Sequence, residues 1–77
     1  MKKYEGRFWK KSFYTQEVSG PFGFMVEADS PKEALEKAIK LMFQIEANLT
    51  TSVIERSELL INGKWKEFGP EGFKKES

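Results

Sequence analysis

The chain has 77 residues, 13 Lys and Arg against 12 Asp and Glu for a net charge of +1, and neither cysteine nor histidine. That length makes one domain near the lower end of what a single hydrophobic core supports, so association with another chain is a natural source of further burial. The two missing residue types exclude disulfides, thiol nucleophiles, imidazole bases and the usual zinc sites; the near-neutral charge suits neither a polyanion mimic nor a strongly basic nucleic-acid coat protein.

Charge is unevenly placed along the chain. Residues 1–14 carry Lys2, Lys3, Arg7, Lys10 and Lys11 against Glu5, a local +4 that leaves −3 on the remainder. No apolar run approaches the ~18 residues of a membrane span and no apolar segment follows the first lysines, so the expectation is a cytoplasmic protein with no membrane partner.

From Lys3 to Val18 the sequence is rich in aromatic residues, lacks proline and is interrupted only by Gly6, which predicts one long or bent strand. One parity carries Tyr4, Phe8, Lys10 and Tyr14, the other Arg7, Trp9, Lys11 and Phe13. A strand with a helix over one side has a polar second side, so either a bulge near Lys10-Lys11 switches the phase or the second face meets something. Ser19 to Gly23 (SGPFG) is a turn cluster, expected to close a hairpin onto the strand Phe22 to Ala28, whose Phe22, Phe24, Val26 and Ala28 share a face.

Ser30 to Asn48 carries the strongest signal in the chain. Ser30 is an N-cap, Pro31 fits the first helical position where no N–H is needed, and Glu33 completes a capping box; Asn48 is a left-handed stop. At ~100° per residue, Ala34, Leu35, Ala38, Leu41, Met42, Ile45 and Leu49 fall on one core-facing arc, while Glu33, Lys37, Lys40 and Gln44 form the solvated side. Ile39, Phe43 and Ala47 make a second apolar row beyond that arc, either buried by a curled sheet or left as a contact row. The hairpin leading into Ala28-Asp29-Ser30-Pro31-Lys32-Glu33-Ala34-Leu35-Glu36 is similar to the hairpin-to-helix entry of HicB-like antitoxin domains, without that family's Pro-Gly turn before the helix. The resemblance implies no function for this chain.

Thr50 to Ile61 is rich in β-branched residues and ends at Asn62-Gly63, the pair that favours a two-residue type I′ hairpin, with Lys64 to Phe68 returning. That register sets Leu60 opposite Trp65 and Leu59 opposite Lys66. Val53, Leu59, Ile61 and Phe68 then face the core, and Leu60, Trp65 and Ile54 lie on the outer face with Arg56, Glu58 and Glu67. Residues 69–77 read as a flexible tail unless Phe73 docks, leaving 1–68 as a single α+β domain: β-β-α-β-β, an antiparallel sheet with one helix packed on one face.

No catalytic, metal or cofactor site is expected. The carboxylates form no recognisable acid–base pair, the hydroxyls lack an activating imidazole, and Gly20-Pro21-Phe22-Gly23 has too few backbone donors in series for a phosphate cradle. The leading expectation is a non-enzymatic module working through protein contacts at Trp9, Phe13, Ile39, Phe43, Leu60 and Trp65, as a homo-oligomer or as an inhibitor or adaptor of a larger protein of the sort that phages and mobile elements encode. The alternative is recognition of single-stranded nucleic acid or a nucleotide by Arg7, Trp9, Lys10, Lys11 and Tyr14, whose basic groups would meet phosphates while the rings stack on bases.

Overall fold

The computed structural model describes residues 1–74, in which β1 (Lys2–Ser12), β2 (Val18–Ala28), α1 (Pro31–Ala47), β3 (Ser52–Ile61), β4 (Lys64–Gly69) and β5 (Gly72–Phe73) follow one another. The strands form one antiparallel sheet in the order β2-β1-β3-β4-β5, and α1 packs across one of its faces. The α+β class and single-helix architecture expected from the sequence are those observed, with one strand more.

The helix begins as its residues dictate. Ser30 is extended (φ −148°, ψ 161°), its Oγ accepts the Glu33 N–H at 3.2 Å, and Pro31 opens the first turn. Glu33 turns its carboxylate to Lys37 (3.3 Å), an i,i+4 pair on the exposed side, so the capping box is realised in its serine half. The other end differs from expectation: Asn48 is right-handed (φ −95°, ψ −5°) and closes the helix with its side chain, Nδ2 donating to the Gln44 carbonyl at 3.0 Å.

Ala34, Ala38 and Met42 are the buried stripe of α1, and the two alanines let the helix lie close on Val26 and Ala28 of β2, Leu59 and Ile61 of β3 and Phe68 of β4. Leu35, Ile39, Leu41 and Ile45 flank that stripe, and Tyr4, Phe8, Phe24 and Ile54 extend it along the sheet. Gly6, opposite Phe24 in β1–β2, is buried beneath that ring: a Cβ there would lie 2.1 Å from Phe24 Cζ. The missing side chain is thus replaced by a cross-strand aromatic.

The first hairpin turns earlier than the sequence suggested. β1 ends at Ser12, and Phe13 to Glu17 form the connection, where Ser12 Oγ accepts the N–H groups of Tyr14 (3.1 Å) and Thr15 (3.2 Å) and Gln16 takes φ 63°. The serine's local hydrogen bonds supply turn chemistry that no glycine or proline advertises. The SGPFG segment instead lies within β2 as a bulge: Phe8 pairs with Phe22 and Lys10 with Ser19, so two residues, Gly20 and Pro21, oppose Trp9 alone. Gly20 sits at φ 133°, where a Cβ would come within 2.9 Å of the Phe8 carbonyl oxygen.

β3 bulges at the same level. Trp9 pairs with Arg56 and Lys10 with Ile54, which leaves Glu55 as the extra residue. The irregularity expected near Lys10-Lys11 is therefore present, but in both neighbours of β1, which itself keeps an unbroken alternation. One consequence corrects the sequence reading of β3: the extra residue rotates Ile54 onto the core and Val53 away from it.

The second hairpin is as expected, with Asn62 (φ 51°) and Gly63 (φ 79°) both left-handed, Leu60 opposite Trp65 and Leu59 opposite Lys66. Beyond it, the segment read as a flexible tail returns: Phe73 pairs with Phe68, Gly72 with Gly69, and the Lys74 N–H donates to the Glu67 carbonyl at 2.9 Å. Gly72 (φ 118°) makes this return possible, and the rest of the expected tail, residues 75–77, lies outside the described residues. Among the described residues no helix is long and apolar enough to cross a membrane.

The tight fit at Gly6 makes Gly6→Ala destabilising by about 1–3 kcal/mol, an overpacking cost. Urea unfolding measures it, and the loss is smaller in a Phe24→Leu background, because the atoms that clash are those of the ring.

Candidate functional site

Strand alternation sorts the first strand onto two faces. Tyr4, Gly6 and Phe8 look toward the helix, and Arg7 and Trp9 look the other way, toward the side of the sheet that no helix covers. β3 and β4 add Arg56, Glu58 and Leu60, and Trp65 and Glu67, to that uncovered face, because Arg7 pairs with Glu58, Trp9 with Arg56 and Leu60 with Trp65.

At its centre is a carboxylate held by two arginines. Glu58, with its side chain 5% exposed, accepts Arg7 Nε at 2.6 Å on one oxygen and Arg56 Nε (3.0 Å) and Nη2 (2.6 Å) on the other. Arg56 lies 3.8 Å from Glu67, which also meets Lys74 at 3.1 Å, so an ion-pair chain runs across β1, β3 and β4 to the residue after β5. Burial pushes the Glu58 carboxyl upward, but the hydrogen bonds and charges of Arg7 and Arg56 outweigh it and leave the group below the usual carboxylate range. The Glu58 hydrogen bond and charge in turn raise the Arg56 guanidinium.

Aromatic rings close over this network. The Arg7 guanidinium carbon lies 3.9 Å from the Trp65 ring centre and 5.2 Å from that of Trp9, and Arg56 approaches Trp9 at 5.9 Å. Arg7 therefore sits between two half-buried indoles with its Nε fixed on Glu58. Toward the β2 edge the face drops into a shallow depression over Gly23, walled by Arg7, Pro21, Met25 and Trp65.

The structure brings Arg7, Trp9, Leu60 and Trp65 together and separates the other residues singled out by sequence. Phe13 and Tyr14 leave the sheet for the hairpin connection, where they are 56% and 79% exposed. Lys10 points to the helix side, its Nζ 5.1 Å from the Phe22 ring, while Lys11 shares the parity of Trp9. The basic aromatic strand is thus divided between two faces and a loop rather than presented as one platform. Ile39 is partly buried against the core and also lines a cleft of about 130 Å³ between α1 and the β3–β4 layer, where Phe43 is 58% exposed and Ile54, Gly69 and Pro70 are among the walls.

The sequence places Arg56 and Glu58 on the outer face without marking them as a site, and it does not single out Met25. Their only signal is parity within β2 and β3, and it acquires meaning once β1 is known to lie between those strands. Among the described residues no group of three or more His, Cys, Asp or Glu is placed to hold a metal ion.

The folded state binds the Glu58 proton more weakly than the unfolded chain does, so protonation favours unfolding. The stability this group contributes is complete above the ordinary glutamate pKa of about 4.3 and is lost as pH falls through the lower folded value. Glu58→Gln is expected to be less stable than the parent by about 1–2 kcal/mol at pH 7, a range set low because both arginines reach water, and the gap should close as pH falls below about 4. Chemical denaturation at several pH values checks this.

Comparison of the chain with protein-family models, with curated proteins and with solved structures finds no match in any of the three.

Proposed function

We propose that the chain is a non-enzymatic binding module that acts through protein–protein contacts, receiving its partner on the uncovered face of the sheet. The observation that carries this reading is Arg7 held between Trp9 and Trp65. Tryptophan and arginine are the side chains that most often carry binding energy at the centre of a protein interface. Here their geometry is set in advance by Glu58 and by mutual stacking, which lowers the ordering entropy lost when a partner docks. Leu60 and Met25 add apolar area beside them, and Arg56, Glu67 and Lys74 form a polar rim.

The electrostatics support a polypeptide partner. Arg7 and Arg56 direct donors to Glu58 inside the sheet face, so the guanidinium groups nearest the rings are partly neutralised rather than free for phosphates. The partner is then a larger protein that the chain inhibits or adapts, or a further copy of the chain.

Immobilised protein, challenged with nuclease-treated extract of the cells that express it, tests this. The parent should retain a protein whose binding weakens by about 30-fold or more in the double variant Trp9→Ala/Trp65→Ala, the consequence of losing more than ~1 kcal/mol at each of two anchors, and persists in Lys10→Glu/Lys11→Glu. In a parallel run with extract not treated with nuclease, retention of nucleic acid that falls steeply with salt and disappears in the lysine variant would overturn the reading.

A further inference from the structure

We propose that two copies of the chain pair antiparallel through the free edge of β2, with Gly23 of each opposite Met25 of the other, so that their sheets become one. The sheet has two unlike edges. β5 offers two residues, whereas β2 offers 11, and from Val18 to Val26 that edge contains no charged residue. Val18, Phe22 and Met25 are 52%, 39% and 54% exposed along it. A long uncharged edge is a template for strand addition, which proteins that remain single guard with charge, proline or bulges; Pro21 and the bulge at Gly20-Pro21 blunt the first part of this edge, and Phe22 to Val26 stays open.

The backbone shows which groups are on offer. The Ser12 N–H donates to the Glu17 carbonyl in the β1–β2 hairpin, while the Phe13 N–H donates to Thr51 on the β3 side. Because the alternation of β1 is unbroken, Tyr4 and Gly6 turn their N–H and C=O to Val26 and Phe24, and those residues turn theirs back. Gly23, Met25 and Glu27 are left facing outward. The Glu27 carbonyl confirms the direction, since it accepts the Nζ of Lys37 from α1.

An antiparallel two-fold pairing must match outward residues with outward residues. With Gly23 opposite Met25, each of the two symmetry-related pairs exchanges both N–H···O bonds. Glu27 then falls opposite Pro21, which has no N–H to give, and the Glu27 carbonyl needs none because Lys37 already supplies one. The side chains agree. Nothing lies within 4 Å of the position a Gly23 Cβ would take, so Met25 of one copy has room over Gly23 of the other, in the depression beside Arg7 and Pro21. On the helix side Phe22 meets Val26 of the second copy, and no two like charges oppose. A register with Met25 against Met25 would instead set Glu27 over Gly23, bringing a carboxylate rather than an apolar side chain to the depression, and would place a second donor on the Glu27 carbonyl that Lys37 already serves.

This inference deepens the contact reading by naming one partner, and it stands on the edge rather than on the indoles. Sedimentation from about 1 µM to about 1 mM spans the weak affinity expected of so small an interface. The mass should rise from 8.9 kDa toward twice that value. Met25→Lys, at an exposed position, should weaken association by about tenfold or more with unchanged far-UV circular dichroism. Oxidised Gly23→Cys/Met25→Cys should form a covalent dimer, since paired residues ~5.5 Å apart at Cα lie within disulfide range and the chain has no other cysteine. A parent that stays at the single-chain mass throughout overturns the proposal, as does a dimer that Met25→Lys leaves equally tight or that the double cysteine variant does not trap. Loss of self-association with retained capture of a foreign protein by Trp9 and Trp65 would refute this pairing alone, whereas the reverse result would refute the face.

Discussion

Glu58 is a nearly buried carboxylate on the side of the sheet that has no helix over it, and the character of that face depends on how its charge is met. Left alone, the group would be desolvated without compensation. Two arginines from different strands hold it ionised, and they do so because β1 and β3 are neighbours in a register that sets Arg7 directly across from Glu58 and Arg56 next along the same face. The guanidinium of Arg7, fixed at Nε, is then flat enough and close enough to lie against Trp65 and near Trp9. Remove the carboxylate and two like charges share one patch with nothing to orient them; remove the rings and the ion pair becomes an ordinary surface contact.

The same cluster resolves an apparent conflict in the first strand, which is aromatic on both parities. The faces do different things. Phe8 is drawn toward the helix side, near Phe22 and Phe24, while Trp9 one residue later lies over an ionic network. The bulges that fit the sheet around this strand fall in β2 and β3, so β1 remains straight in phase and its neighbours adjust. Glu55 and the Gly20-Pro21 step absorb the mismatch, and the adjustment at Glu55 is what brings Ile54 under the helix.

Much of this was legible in the residues because local signals agree with the fold. The serine cap and proline at the start of α1, the Asn62-Gly63 turn and the Leu60–Trp65 pair are decided by chemistry within a few positions of each other. What could not be read depends on sequence-distant partners or on side chains acting as backbone. The Phe13 to Glu17 connection is stabilised by the Ser12 hydroxyl, a weaker cue than the glycines and proline of SGPFG, which serve a bulge instead. The strand β5 exists because Phe73 finds Phe68, a contact that composition alone presents as a tail. The Arg7–Glu58 pair spans 51 positions and has no local signature at all.

A single helix of 17 residues covers one face of a five-stranded sheet and leaves the other to its own resources. A domain of this size cannot add a second helical layer without more chain, so its uncovered face must either be polar or be met by something else. Here it is neither plainly polar nor plainly apolar: charges are paired within it, and indoles lie over the pairs. Internal pairing keeps the face compatible with water while leaving ring surface to be covered, which is the condition under which a contact forms reversibly rather than as part of folding. The β2 edge obeys the same logic, since Pro21 and the Lys37 bond to Glu27 satisfy or remove some outward groups and leave those of Gly23 and Met25 open. Face and edge meet at the depression over Gly23, and a residue without a side chain at that corner is what leaves room there for another chain to enter.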